Sequence, residues 1–468
     1  MKLIKYSVFM ALLLILAGCN DFLDVNTNPT KVSEGDVNVD VLLPTVITGS
    51  GSATFSEGYY ASRVTHYMDN IQSGYYEKFT MSGAWSTIYL RNLNNIEVII
   101  DKAKDEGSPY YVGIAKILKA YNLGLLTDAW ENVPYSEALL GSNNVTPSYD
   151  KQEVLYKEIQ KLLDEAISDL SVEENFRNPA ADDFIYSGDM EKWLKLAHSL
   201  KARYMVHLSN KPDMDWNAVL SEVEKGFESN DDDFELIYNP DNANPWYSSV
   251  SKRILEAIYT LTYGAYFIDD LNGTNLGIID PRLFVLVEKV PGDTTDGYHG
   301  LASYDPDAEP YNVLPTVNTY YMGASSPVVM MSYSELKFIE AEAALKVGDN
   351  ARAQEAYEKG INANMNKLGV KDEDIVSYMT APNISTVSLS NIMTQKYIAL
   401  VLNPEAWNDM RRYDFDGSIF LNFVVPEYNG RTKPAQRAIY PDSEASRNKA
   451  NYEANYKDFT EKMWKDKN

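Results

Sequence analysis

Apolar residues recur at helical spacing in paired stretches along much of this chain. The pairing is plainest from Ser332 to Leu368. Leu336, Ile339, Ala343 and Val347 stand three or four residues apart, one stripe of a 3.6-residue helix. Gly348 suits the left-handed turn that ends a helix, and Asp349 suits the cap of the next. Ala353, Ala356, Tyr357 and Ile361 make a second stripe. Ala353 followed by Tyr357 fits the alanine-to-aromatic spacing of a tetratricopeptide hairpin. One such hairpin cannot bury its apolar side alone, so copies are expected.

Three further stretches qualify. In 88–128, Leu93, Ile96, Ile100 and Ala103 face Ile114, Ile117, Leu118 and Tyr121 across Gly107-Ser108-Pro109, a stop followed by a start with proline in the first turn. In 151–209, Leu155, Ile159, Leu162, Ala166 and Leu170 precede Trp193, Ala197, Leu200, Tyr204 and Leu208. In 388–413, Leu389, Ile392, Met393, Tyr397 and Leu400 lead to Asn403-Pro404 and a short helix holding Trp407 and Met410. The expectation is a mostly α fold: four tetratricopeptide-like hairpins (88–128, 151–209, 332–368, 388–413) in a superhelical scaffold. Between the second and third lies an irregular insert, about 212–331, rich in Asn, Asp, Gly and Pro. An insert of that length is expected to carry short helices, such as Ser249 to Leu261, and minor β structure. Asn20 to Asp40 reads as a polar tether that becomes a docked loop, and a helix is expected from Gly58 to about Gln72.

The start of the chain changes the picture. Lys2 and Lys5 precede an apolar run from Val8 to Leu16, too short to span a bilayer and suited to a secretory signal. It ends in Leu16-Ala17-Gly18-Cys19, which matches a lipoprotein cleavage box. Cys19 is the only cysteine and has no partner for an internal disulfide. Residues 1–18 are therefore expected to be a lipoprotein signal peptide, with Cys19 the lipid attachment point. Residues 19–468 are expected to form one domain moored by acyl chains. A formal net charge of −25 on 468 residues argues against nucleic acid and against broad binding to anionic lipid.

Catalytic patterns are missing. His66, His198, His207 and His299 are widely spaced, and there is no zinc-helix, nucleophile-elbow or phosphate-loop motif. His198 and His207 fall in an expected helix as solvated or core-edge residues. Glu340 and Glu342 are two residues apart, about 200° round a helix, and cannot flank one glycosidic bond. Asp293, Asp296, Asp305 and Asp307 lack calcium-loop spacing. No catalytic residue, metal or cofactor is expected. Thirty-four tyrosines and seven tryptophans offer ring faces instead. Trp85, Trp130, Trp193 and Trp407 belong to helical stripes and the core. Trp246 and Tyr247 stand in an Asn/Pro loop of the insert. Tyr59-Tyr60 and Tyr75-Tyr76 each follow a glycine in a second irregular segment, Thr45 to Gly83, of Gly, Ser and aromatics. These six are the ligand-binding candidates: a ring covers the CH face of a sugar while polar neighbours satisfy its hydroxyls.

Several segments together are similar to the SusD/RagB family of outer-membrane nutrient-binding lipoproteins. They are Cys19-Asn20-Asp21-Phe22-Leu23-Asp24, Leu125-Leu126-Thr127-Asp128-Ala129-Trp130 through Pro134-Tyr135, Tyr186-Ser187-Gly188-Asp189, Ser199-Leu200-Lys201-Ala202-Arg203, Asp280-Pro281-Arg282-Leu283, Gln395-Lys396-Tyr397, Trp407-Asn408-Asp409-Met410-Arg411-Arg412, and Arg437 to Glu444. The resemblance covers nearly the whole chain. It implies four tetratricopeptide-like units with irregular segments opposite, no catalysis, and a surface-facing place on the outer membrane. It also implies a TonB-dependent, SusC-like transporter as partner and an oligosaccharide, or in some members a peptide, as ligand. A different class of reading is an anchored helical-repeat scaffold that binds only proteins.

Overall fold

Val39–Val64 forms a 26-residue helix, α1, at the start of the folded body. The computed structural model describes residues 38–69, 80–255, 261–288, 298–302, 316–317, 319–425 and 432–467. Residues Val39–Asn468 make one compact unit, separate from Met1–Asn38. Cys19, Tyr75, Tyr76 and the aspartates at 293, 296, 305 and 307 lie outside the described residues.

Helix α1 corrects two expectations. The stretch to Asp40 does not run wholly as a tether, and the helix expected from Gly58 to Gln72 begins at Val39 and ends at Val64. The segment escapes pattern reading because it is buried on several sides and carries Pro44 and many small polar residues. Those residues serve close packing. Their hydroxyls fold back onto the preceding turn, as in Ser50 to Val46 O at 2.9 Å and Thr54 to Ser50 O at 2.9 Å. A Cβ at Gly49 would stand 1.9 Å from Asn92 Oδ1, and one at Gly58 would stand 2.3 Å from the Leu402 carbonyl oxygen. Glycine at both points lets neighbouring chain approach the α1 backbone.

The scaffold follows in pairs. Ser82–Ser86 and a π-helical Thr87–Leu93 lead into α2 (Asn94–Glu106); Gly107 closes it at φ 76° and α3 (Pro109–Trp130) returns. Next come α4 (Gln152–Leu170) and α5 (Met190–Val206), the latter capped by Asp189, which accepts from the amides of Glu191 and Lys192. Helix α6 (Trp216–Val223) opens the insert but packs on α5 and on α7 (Tyr333–Val347). Gly348 ends α7 at φ 84°, and the Asp349 carboxylate accepts from Arg352 N at 3.1 Å to start α8 (Asn350–Lys367), as the pattern predicts. Then come α9 (Leu389–Ala399) and α10 (Glu405–Arg412). Helix α3 packs broadly on α4, α7 on α8, and α1 on Thr87–Leu93, α2 and α3. The fold is mostly α. Strands are short: β1 (Phe234–Leu236) pairs antiparallel with β2 (Val328–Met331), tying both ends of the insert together. The helix expected over Ser249–Leu261 starts as a π turn at Tyr247–Ser251 and continues through Lys252–Leu255; 256–260 are not described. Among the described residues no helix is long and apolar enough to cross a membrane.

Buried charge pins the elements together. Arg203 on α5 grips Glu335 on α7 through two bonds of 2.7 and 2.6 Å. Glu340 and Glu342 diverge as their spacing requires. Glu340 meets Arg352 at 2.7 Å, while Glu342 turns inward to Arg412 on α10. His207 is the larger surprise. It is 1% exposed rather than solvated or at the core edge, and sits between Asp128 and Glu405. Burial pulls its pKa down, but Glu405 and Asp128 outweigh burial and the net shift is upward.

Asp270 is fully buried near Tyr67 and Tyr397, whose stacked ring centroids are 4.3 Å apart. Its Oδ1 accepts from Asn275 at 2.8 Å, and its Oδ2 has no partner among the described residues. Burial pushes this carboxyl up to about 8. An unfolded aspartate ionises near pH ~4, so the native chain holds one extra proton between about pH 4 and 8. The stability this group contributes is present at low pH and is lost as pH rises through that window. Asp270→Asn is expected to flatten that slope and raise stability at pH 7 by about 2–4 kcal/mol, at ~1.4 kcal/mol per unit less the cost of the new amide. Urea unfolding of both chains at pH 5, 6, 7 and 8 checks it; parallel stability–pH curves would rule it out.

Candidate ligand-binding surface

The C-terminal half of α1 carries Phe55, Tyr59, Tyr60 and Arg63. Residues 55, 59 and 63 are four apart and share a helix face. The Phe55 and Tyr59 centroids are 5.9 Å apart, and Tyr59 and Tyr60 meet edge to face at 5.6 Å. The Arg63 guanidinium carbon lies 4.6 Å from the Tyr59 ring centre and 5.5 Å from that of Tyr60. A cation over two rings fixes all three side chains with little loss of freedom left to incur on binding. Both tyrosines are half-buried, packed on the core with part of each ring in solvent.

Trp246 does not belong to this surface, and the expectation of a solvent-facing ring is corrected. It is 4% exposed. Its indole meets Phe55 edge to face at 5.1 Å and lies 6.1 Å from Tyr59. Local chemistry explains its inward turn. Asn244, fully buried, accepts from Trp246 N at 2.7 Å and donates to Ser326 O at 2.9 Å. The Asn-Pro-Trp loop is thereby closed over α1 with the ring beneath it. The cavity there, lined by Phe55, Trp246, Tyr321 and Leu402 among others, holds about 30 Å³, too small for a sugar ring. Tyr247 is half-buried at the start of the π turn. The structure thus brings Tyr59, Tyr60 and Arg63 together, with Trp246 as their support. Arg63 escaped sequence reading; its spacing of four from Tyr59 was the available signal.

Deeper in, below Glu57, a cavity of about 20 Å³ is lined by Asp128, Arg203, Glu405 and Arg411 among others. Burial, then Asp128, pushes the Glu57 carboxyl well above the usual carboxylate range. This buried network ties α1, α3, α5 and α10, and its cavity is smaller than one sugar ring. Among the described residues no three His, Cys, Asp or Glu side chains are placed to hold a metal ion.

The described residues thus form a mostly helical scaffold with a ring-and-guanidinium surface on its first helix. Residues 46–441 match the SusD-like family, described as starch-binding and associating with the outer membrane, and the chain belongs to that family. Solved structures agree in fold. A SusD/RagB family protein from Bacteroides thetaiotaomicron is similar with a TM-score of 0.77 at 23% identity, covering 92% of this chain and 99% of its own. A chitin-binding protein gives 0.76 at 25% identity over 92% and 100%. A chitin-binding SusD homologue from Flavobacterium johnsoniae gives 0.74 at 21% over 93% and 98%. None of the curated proteins matches the sequence.

Proposed function

We propose that this chain is a non-catalytic outer-membrane lipoprotein that captures an oligosaccharide on Tyr59, Tyr60 and Arg63 and passes it to a TonB-dependent transporter. The observation that carries the capture step is the cluster of Tyr59, Tyr60 and Arg63 itself. Two phenol rings, half-buried and held by a guanidinium packed against both, offer apolar surface to sugar CH groups. Membership of a family described as starch-binding, and likeness to two chitin-binding proteins, support carbohydrate as the ligand class. Tyr59→Ala is expected to weaken binding of the best ligand among maltohexaose, cellohexaose and chitohexaose by about 1–3 kcal/mol, the range for a lost buried ring. Titration calorimetry at constant pH measures it, and an unchanged Kd takes Tyr59 out of the site. Anchoring rests on Cys19: Cys19→Ala is expected to move the protein from the membrane to the soluble fraction, and continued membrane retention would count against the lipid. Transfer to a transporter is tested by co-purification of a β-barrel partner with the tagged chain.

A further inference from the structure

An open groove of about 280 Å³ lies where Trp85–Leu90 and the 134–147 loop meet α11 (Asp442–Arg447). Its lining divides by chemistry. Tyr89, Leu90, Pro134 and Pro147 form an apolar wall, with Leu90 73% exposed and the Tyr89 ring fixed by its hydroxyl donating to Pro134 O at 2.6 Å. Glu444 and Arg447, three residues apart on α11, form the polar wall. That spacing ordinarily closes an ion pair, yet here none forms. Tyr149 and Asn448 donate to Glu444 Oε2 at 2.7 and 3.4 Å, which leaves Oε1 without a partner among the described residues. Arg447 is exposed and makes no ion pair or hydrogen bond among the described residues. A free acceptor and a free five-donor fork thus stand side by side, opposite an apolar surface.

We infer that this groove is a second saccharide site, separate from Tyr59, Tyr60 and Arg63 and taking one or two pyranose rings. A pyranose has the matching division: CH groups on its faces, and hydroxyls at its rim that each donate and accept. One of two vicinal hydroxyls can donate to Glu444 Oε1 while its neighbour accepts from Arg447. At about 280 Å³ the groove stands just under the lower end of the usual range for ligand pockets, roughly 300 Å³, which limits it to a short segment. A broader hollow of about 540 Å³ beside β1 lacks this provision, because its Lys367 is already bound by Asp233 and Glu235 at 2.5 Å each. The inference rests on the carbohydrate reading above only for its choice of ligand class.

The test is the rate at which phenylglyoxal modifies Arg447 in the full chain, read by peptide mass spectrometry, with and without maltohexaose, cellohexaose or chitohexaose at millimolar concentration. At least one hexaose is expected to slow the modification fivefold or more. The slowing should persist in Tyr59→Ala and vanish in Leu90→Asp, an exposed position whose change leaves the core untouched. An unchanged Arg447 rate with all three hexaoses overturns the groove, even where Tyr59→Ala weakens binding and the first surface stands. Protection that survives Leu90→Asp also overturns it. Protected Arg447 with an unaltered Tyr59→Ala affinity upholds the groove and removes the first surface instead.

Discussion

Trp246→Ala is expected to lower the unfolding free energy by about 3–5 kcal/mol, the range for a large aromatic removed from a packed core. The ring stands at 5.1 Å from Phe55, is 4% exposed, and borders a cavity that already holds about 30 Å³. Its neighbours cannot collapse freely into the new space. Asn244 holds the loop by bonds to Trp246 N and Ser326 O, and α1 behind it is fixed by the contact of Gly58 with the Leu402 carbonyl. Trp246→Phe, which keeps part of the edge contact, should fall between. Urea midpoints of the three chains make the comparison. Tyr59→Ala, with a half-buried ring, should lose far less stability and more affinity. A Trp246→Ala chain that unfolds at the wild-type midpoint would return Trp246 to the ligand-facing set.

That contrast shows what the residue pattern could and could not reveal. Helix ends are legible where local signals act alone: Gly348 with Asp349, and Gly107 with Ser108 and Pro109, fall at observed helix ends. They are set by backbone conformation and capping within a few residues. Helix α1 was illegible because its burial comes from several neighbours at once, so no single apolar stripe marks it. The burial of Trp246 is hidden in the sequence for a related reason. An Asn/Pro-rich loop reads as solvent-facing, but the Asn244 side chain satisfies the loop's own backbone and lets the ring turn inward. His207 likewise gave no sign of burial, since Asp128 and Glu405 lie far from it in sequence. The trio on α1 was half legible. Tyr59 and Tyr60 stood out as paired rings, while Arg63 joins them only once the helix is known to run through all three.

Glu342→Ala is expected to destabilise the chain by about 3–5 kcal/mol, as removal of one partner from an enclosed ion pair does. Glu342 and Arg412 have no exposed side-chain surface. Arg412 donates to both carboxylate oxygens of Glu342, one at 2.5 Å, and to Asp409 at 2.9 Å; Tyr413 also donates to Glu342 at 2.5 Å. Without Glu342, one carboxylate, Asp409, faces two cations, because Lys396 already lies 2.8 Å from it. The fork then keeps its desolvation cost with half its compensation. Joint replacement removes the charge imbalance. Glu342→Met with Arg412→Met should cost well under the sum of the single changes, a coupling on the order of 2 kcal/mol or more for groups in direct contact. Chemical denaturation of the four chains of this cycle gives the coupling directly, and additive losses would show that the pair is not a unit. The pair joins α7 to α10, the elements that the sequence assigns to its third and fourth hairpins. Its loss should therefore loosen their junction first, as faster amide exchange in α10 than in α3.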